Sequence, residues 1–320
     1  MKKHVVIILV VSVISIVSVG WYIRYLQTDP VIEEVEDHYM KNGIVRAYDQ
    51  ATAQSLSESL GQYMQYLLLQ DDADRFKKQV QVLKTNFLKK NGSDIYIKWE
   101  LTKQTTTNAL IDDLRISEAL RQAGDQFDEP MYTRLADRVE KTLLKHQYID
   151  GQWVDFYDWK YKQAASVLHL NYLEYNSIKR LQLLQSTKAL LRQAPHVGPF
   201  TPELYFYKTG EFKWINKKTV NMIDQVLIAR LQFEVTGHVD SEFSRFITRE
   251  LHSSKVYTHY VRASKLPSSQ VESSSVYALL LPLVSSSERS IIFKRLDSID
   301  TTNPRSVHIF DVLNKAIEAY

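Results

Sequence analysis

The chain has 320 residues, 44% of them hydrophobic and 24% charged, with a formal net charge of +3 and no cysteine. That length buries a large core in one big domain or two, and the near-neutral charge argues against a nucleic-acid partner. Without cysteine there are no disulfides, no Cys-ligated zinc, no iron–sulfur cluster and no thiol nucleophile.

In chain order, Lys2, Lys3 and His4 precede an apolar run at 5–23, broken only by Ser12, Ser15, Ser18 and Gly20. Its length nearly matches the ~20 residues that span a bilayer, and Trp21 and Tyr22 sit where an interfacial aromatic belt would lie. Val17-Ser18-Val19 is a poor cleavage site, and a lipobox needs a cysteine. Residues 1–26 therefore read as a retained signal anchor with a cytoplasmic N-terminus and the body outside, a cleaved signal peptide being the alternative. Residues 27–34, around Asp29-Pro30, read as a short linker. No Gly/Ser-rich or Pro-rich tract divides the remainder, so 35–320 is expected to be one domain, and a monomer.

That domain reads mostly as helices with one apolar face each: 32–40, 55–70, 74–88, 108–123, 131–146, 161–175, 177–194, 218–235, 241–251, 270–283, 286–296 and 307–320. Two β-hairpins are expected at 148–154, around Asp150-Gly151, and at 205–214, around Thr209-Gly210. No strand–helix alternation supports a parallel sheet, and no fixed period supports a solenoid.

The candidate chemistry lies in carboxylates at helix starts. In Thr105-Thr106-Thr107-Asn108-Ala109-Leu110-Ile111-Asp112-Asp113 a polar run enters a helix whose first turn holds two adjacent acids. Neighbours on a helix point roughly 100° apart, so one can face inward while the other caps or is solvated; an ordinary acidic helix start is the plainer reading. Glu58, in Ser55-Leu56-Ser57-Glu58, fits a capping box or a general acid whose pKa another carboxylate raises. Asp224 precedes Leu227, Ile228 and Leu231 at helical spacing, so it sits on an apolar face, as a buried ion pair or as a catalytic group. The nine histidines show no zinc-binding pair, and no GxSxG, GxGxxG or P-loop occurs, so no metal or cofactor is expected.

Several of these segments resemble, in order, those of glycoside hydrolase family 8. Ser57-Glu58-Ser59-Leu60-Gly61-Gln62-Tyr63-Met64 is similar to the family's general-acid segment, and Ile95-Tyr96-Ile97-Lys98-Trp99 to one ending in a sugar-stacking Trp. Asp113-Leu114-Arg115-Ile116-Ser117-Glu118-Ala119-Leu120 is similar to the family's Asp-Leu-x-Ile-Ala-x-Ala-Leu, and Asp224 falls where its general base would. The signature Ala-Ser/Thr-Asp-Ala/Gly-Asp is altered: Ile111 stands at its first, active-site Asp, a role Asp112 takes if the helix start shifts by one. Asp224-Gln225-Val226-Leu227 likewise replaces Asp-Ala-x-Arg. The resemblance implies a divergent branch, similar to members found with exopolysaccharide gene sets. It implies an all-α fold, an (α/α)6 barrel of about twelve helices, and inverting hydrolysis of a β-1,4-linked polysaccharide. Its roles would be Glu58 as acid, Asp224 as base, Asp112 or Asp113 on a sugar hydroxyl, and Trp99, Tyr205 and Trp214 as stacking residues. Hairpin packing is the other reading for Tyr205 and Trp214. A glycan-binding or assembly protein that lost turnover is the alternative function.

Overall fold

A computed structural model describes residues 29–253 and 255–319. The expected anchor at 5–23 lies outside the described residues, among which no helix is long and apolar enough to cross a membrane.

Twelve α-helices occur among the described residues: α1 Pro30–Glu34, α2 Ser57–Leu69, α3 Ala73–Val82, α4 Leu110–Gln126, α5 Pro130–His146, α6 Tyr175–Arg180, α7 Leu184–Gln193, α8 Met222–Thr236, α9 Ser241–Ser253, α10 Ser274–Leu280, α11 Ser286–Ser298 and α12 Ile309–Glu318. Local chemistry sets several of their ends. Asp29 accepts from the Val31 and Ile32 amides with Pro30 in the first turn, Ser285 and Glu288 form a reciprocal capping box, and Gly237 closes α8 at φ 80°.

The even-numbered helices close a ring: α2 packs on α4, α4 on α6, α6 on α8, α8 on α10, α10 on α12, and α12 back on α2. The odd-numbered helices flank them: α3 lies on α2, α5 on α4, α7 on α6 and α8, α11 on α10, and α1 on α12, while α9 packs on α11. This alternation of inner and outer helices is the arrangement an (α/α)6 barrel requires. Buried Leu60, Leu67, Phe76, Phe87, Leu114 and Leu120 fill one side of the wall, and Phe200, Phe246, Tyr260 and Tyr277 the other. Each such side chain contributes roughly 1.5–3 kcal/mol. Gly124 lets α4 meet α5: a Cβ there would stand 2.2 Å from Thr133 Oγ1. Glu140 of α5, 5% exposed, pairs with Arg121 of α4 at 2.8 Å and Arg180 of α6 at 2.7 Å, tying three helices together.

The fold is not purely helical. Small antiparallel ladders occupy the segments that lead into the inner helices, so the N-terminal ends of α2, α4, α6, α8 and α10 open on one β-decorated face. Both expected hairpins form, at Tyr148–Ile149 with Gln152–Trp153 and at Leu204–Phe206 with Glu211–Lys213. A third, Leu88–Asn91 with Asp94–Ile97, replaces the end of the helix expected to run to Leu88; the chain leaves α3 through a π turn at Leu83–Phe87. The helix expected at 161–175 is absent. Val167–His169 instead pairs with Leu204–Phe206, and Leu170–Tyr172 makes a single 3-10 turn. Long-range pairing overrides local spacing there. The helix expected at 177–194 breaks at Gln182, whose φ is 61°. The folded part also begins before residue 35: α1 falls within the expected linker and buries Ile32.

Candidate active site

Glu58 is the second residue of α2 and Asp112 the third of α4, and the packing of α2 on α4 brings these two helix starts together. Ser57 Oγ donates to Asp112 Oδ2 at 2.6 Å, and the Ser57 amide donates to the Trp99 carbonyl at 2.9 Å. Arg115, one turn beyond Asp112, sets its Nη1 3.4 Å from Asp112 Oδ1 and 3.6 Å from Glu58 Oε1. Glu58 is not in a capping box, because the N-cap is Leu56 and makes no side-chain bond. Burial pushes the Glu58 carboxyl up to about 7; Arg115 opposes this, and Asp112 and Asp224 reinforce it. Burial also raises Asp112, against the pull of Arg115 and Ser57.

Asp113 turns away. Its Oδ2 accepts from Asn108 Nδ2 at 2.6 Å, while Oδ1 is buried with no hydrogen-bond partner among the described residues. Burial holds this carboxyl well above the usual range, Asn108 countering and Asp112 adding. Asn108 also donates to Gln147, so this pair belongs to the packing around α4.

Asp224, third in α8, stands across the ring with Oδ1 accepting from Asn171 Nδ2 at 2.9 Å. Burial and the charge of Glu203 push it up to about 6, while His169 pulls it down. It forms no ion pair among the described residues, which removes the buried-pair reading. Glu203, 1% exposed, accepts from the Ile215 amide at 3.1 Å and from Gln225 Nε2 at 3.1 Å. Gln225, which departs from the family pattern, is thus occupied in holding Glu203. Tyr172 lies among these acids: burial raises its phenol, and the charges of Asp155, Asp112, Glu58 and Asp224 raise it further.

The aromatic candidates divide. Trp99 is 37% exposed, and its carbonyl is tied to Ser57 beside Glu58. Tyr205, 8% exposed, packs on Phe212 with ring centroids 4.9 Å apart, so it has no face for a sugar, and the hairpin-packing reading holds. Trp214 carries the Arg262 guanidinium on its ring at 4.1 Å. Arg115, Asp155, His169, Asn171, Tyr172 and Glu203 were not singled out from the sequence. Only Arg115 carried a local signal, three residues after Asp112 on the same helix face. The others come from non-helical loops, a short strand and a 3-10 turn, and meet only in the fold.

No protein-family model matches the sequence. YdaJ of Bacillus subtilis strain 168, which carries the name of a lipoprotein, is 33% identical over 266 residues, covering 79% of this chain and 70% of its own. The crystal structure of PssZ from Listeria monocytogenes superposes with a TM-score of 0.86 at 37% identity, covering 91% of this chain and 94% of that one. An α-amylase from Clostridium perfringens has a TM-score of 0.78 at 18% identity, covering 91% and 96% of the two chains. Endoglucanase Cel10 of Klebsiella pneumoniae, a family 8 glycosyl hydrolase, has a TM-score of 0.66 at 15% identity, covering 90% and 97%. With buried acids at the starts of ring helices and these relatives around it, the chain belongs to one family with YdaJ and PssZ, and it has the fold of family 8 glycosyl hydrolases such as Cel10.

Proposed function

We propose that the protein hydrolyses glycosidic bonds of a polysaccharide with inversion, Glu58 acting as general acid, Asp224 as general base, and Asp112 as the holder of a sugar hydroxyl. The observation that carries this reading is that two carboxyls at the starts of opposite ring helices are both raised by burial, Glu58 beside Asp112 and Arg115, and Asp224 beside Asn171. A raised Glu58 keeps a proton to give, while the Asn171 hydrogen bond and the charge of His169 favour an ionised Asp224 able to take one. In the reaction Asp224 removes a proton from water, and the oxygen attacks the anomeric carbon. The glycosidic bond breaks, and the leaving oxygen takes the Glu58 proton. An inverting pair stands about 6.5–9.5 Å apart to admit that water. Asn171 occupies one oxygen of Asp224 and so orients the other. Trp99 offers a stacking face beside the acid.

The substrate is proposed to be a secreted exopolysaccharide, with a β-1,4 backbone as the first choice. The α-amylase neighbour shares the fold, so the barrel alone does not fix the anomeric configuration. The body is proposed to sit outside the membrane on the apolar run at 5–23. YdaJ bears a lipoprotein name, but this chain has no cysteine to carry a lipid, so an apolar helix would do the anchoring instead. Binding without turnover is the second reading, favoured by Ile111 at the family's first active-site Asp.

The test is a screen of the protein lacking residues 1–26 against β-1,4-glucan, xylan, chitosan, starch and the producing cell's exopolysaccharide, scored by reducing ends. Release from one of them supports the hydrolase. Binding to a glycan with no release from any would move the protein to the second reading.

A further inference from the structure

Behind Asp224 lies a second charged pair. Asp155, 4% exposed, holds His169 twice: Oδ1 accepts the His169 backbone N–H at 2.6 Å, and Oδ2 lies 2.7 Å from Nδ1. That contact places a proton on Nδ1 and leaves Nε2 as the nitrogen that gains or loses charge. From His169 onward the chain makes one 3-10 turn in which each residue is committed to the site. The Leu170 amide donates to the Glu203 carbonyl at 2.8 Å, Asn171 Nδ2 donates to Asp224 Oδ1 at 2.9 Å, and the Tyr172 ring stacks on the His169 ring at 4.8 Å. Three consecutive residues, His169, Leu170 and Asn171, thus join Asp155, Glu203 and Asp224, and Tyr172 braces the first of them. Among the described residues no lysine or arginine pairs with Asp224, and His169 is the cationic group that acts on it.

We propose that His169, clamped by Asp155, is a positioning residue for Asp224: as an imidazolium it keeps the Asp224 carboxylate ionised at pH values where Glu58 still carries its proton. This rests on the reading of Asp224 as the general base. The groups facing His169 are Asp155, Asp224, Glu203 and the neutral Tyr172 phenol, and those facing Asp224 are Glu203, His169 and, across the cleft, Glu58. Burial lowers His169, but the hydrogen bond and charge of Asp155, with the charges of Asp224 and Glu203, leave it raised above 6.5. Without that cation the Asn171 hydrogen bond alone opposes burial and Glu203, so Asp224 rises toward Glu58. The window in which one is charged and the other protonated then closes.

The experiment uses His169→Gln and Asp155→Asn in the full chain, read in two ways. Carbon-13 NMR of labelled Asp carboxyls follows the Asp224 midpoint whether or not the protein turns over. The pH profile of hydrolysis follows the acid limb on whichever glycan of the screen is cleaved. The expected result is an Asp224 midpoint raised by about one unit in His169→Gln. The acid limb moves with it, a loss of about tenfold on the acid side, and the alkaline limb stays in place. Asp155→Asn gives a smaller shift in the same direction. An unchanged Asp224 midpoint, with rates lowered equally at every pH, overturns the proposal and leaves His169 a packing residue. If the variants do not fold, nitrogen-15 NMR of the wild-type imidazoles decides: His169 must titrate above 6.5, and a neutral ring from pH 5 to 7 overturns it. A wild type that shows the carboxyl shift yet cleaves no glycan refutes the hydrolase and leaves the electrostatic coupling intact.

Discussion

Ser57 and Asp112 join the starts of two barrel helices: the Ser57 hydroxyl donates to Asp112 Oδ2 at 2.6 Å, and both residues are buried. The adjacent Asp113 instead meets Asn108. The two acids should therefore respond differently. Asp112→Asn is expected to cut kcat/KM by about 10²-fold or more, the scale of losing one group preorganised toward the transition state. Burial holds Asp113 above the usual carboxylate range, and its hydrogen bond goes to Asn108 and not to Ser57 or Arg115. Asparagine there keeps the shape and the bond to Asn108, and turnover should stay within a few-fold of wild type. Equal effects at the two positions would remove Asp112 from the site.

Glu58→Gln and Asp224→Asn should each lower turnover by roughly 10²–10⁴-fold while the fold is kept. The bland explanations for these acids make other forecasts. A capping residue replaced by Gln would keep activity, but α2 has no such cap. A broken buried pair would cost about 3–5 kcal/mol, but the only side chain hydrogen-bonded to Asp224 is the neutral Asn171 among the described residues. Steady-state rates and thermal melts of the same two proteins separate these cases; normal turnover in Glu58→Gln would sink the mechanism.

Trp99→Ala should raise KM on a long glycan by up to about tenfold, the equivalent of one aromatic contact of about 0.5–1.5 kcal/mol, with kcat little changed. Tyr205→Phe should alter neither constant, since it keeps the ring and its packing on Phe212. A kcat loss in Trp99→Ala would mean that it positions Ser57 and Asp112 rather than the sugar.

The helical wall was legible because its residues repeat locally. Leu60, Met64, Leu67 and Leu68 follow helical spacing, and all four are buried in α2. The segment at 161–175 was misread because its fate depends on Leu204–Phe206, a strand remote in sequence that pairs with Val167–His169. Glu58, Asp112 and Asp224 were legible for another reason: each opens a helix, and short segments around them resemble a known family. His169 and Asp155 had no such signal. They are 14 residues apart in a loop region, and only the folded backbone sets one carboxylate against both an amide and a ring nitrogen.

If the apolar run at 5–23 is an anchor, the topology can be tested on cells. Protease added to intact, wall-stripped cells should release a soluble fragment containing the barrel, because the chain before Asp29 would hold it at the outer surface. A barrel protected from protease, or found in the cytosol, would refute this topology.

The same acids that suit catalysis should cost stability as pH rises, and the sign can be worked out. Glu58 goes from 4.5 to about 7 and Asp224 from 3.8 to about 6 on folding. Between those limits the folded state binds more protons than the unfolded state, so unfolding free energy falls with rising pH. The penalty is small at about pH 4, near the unfolded values, and nearly complete by about pH 8, where both groups are ionised in the folded state as well. Glu58→Gln and Asp224→Asn remove an ionisation that burial opposes. Each should therefore be more stable than wild type at pH 8, by about 1–3 kcal/mol once the partial exposure of these side chains is allowed for, and no more stable at pH 4. Denaturant unfolding at the two pH values measures this. A gain at pH 8 that vanishes at pH 4, in variants that have lost turnover, is what an active site held at the expense of stability would give. The same gain at both pH values would assign it to packing instead of charge.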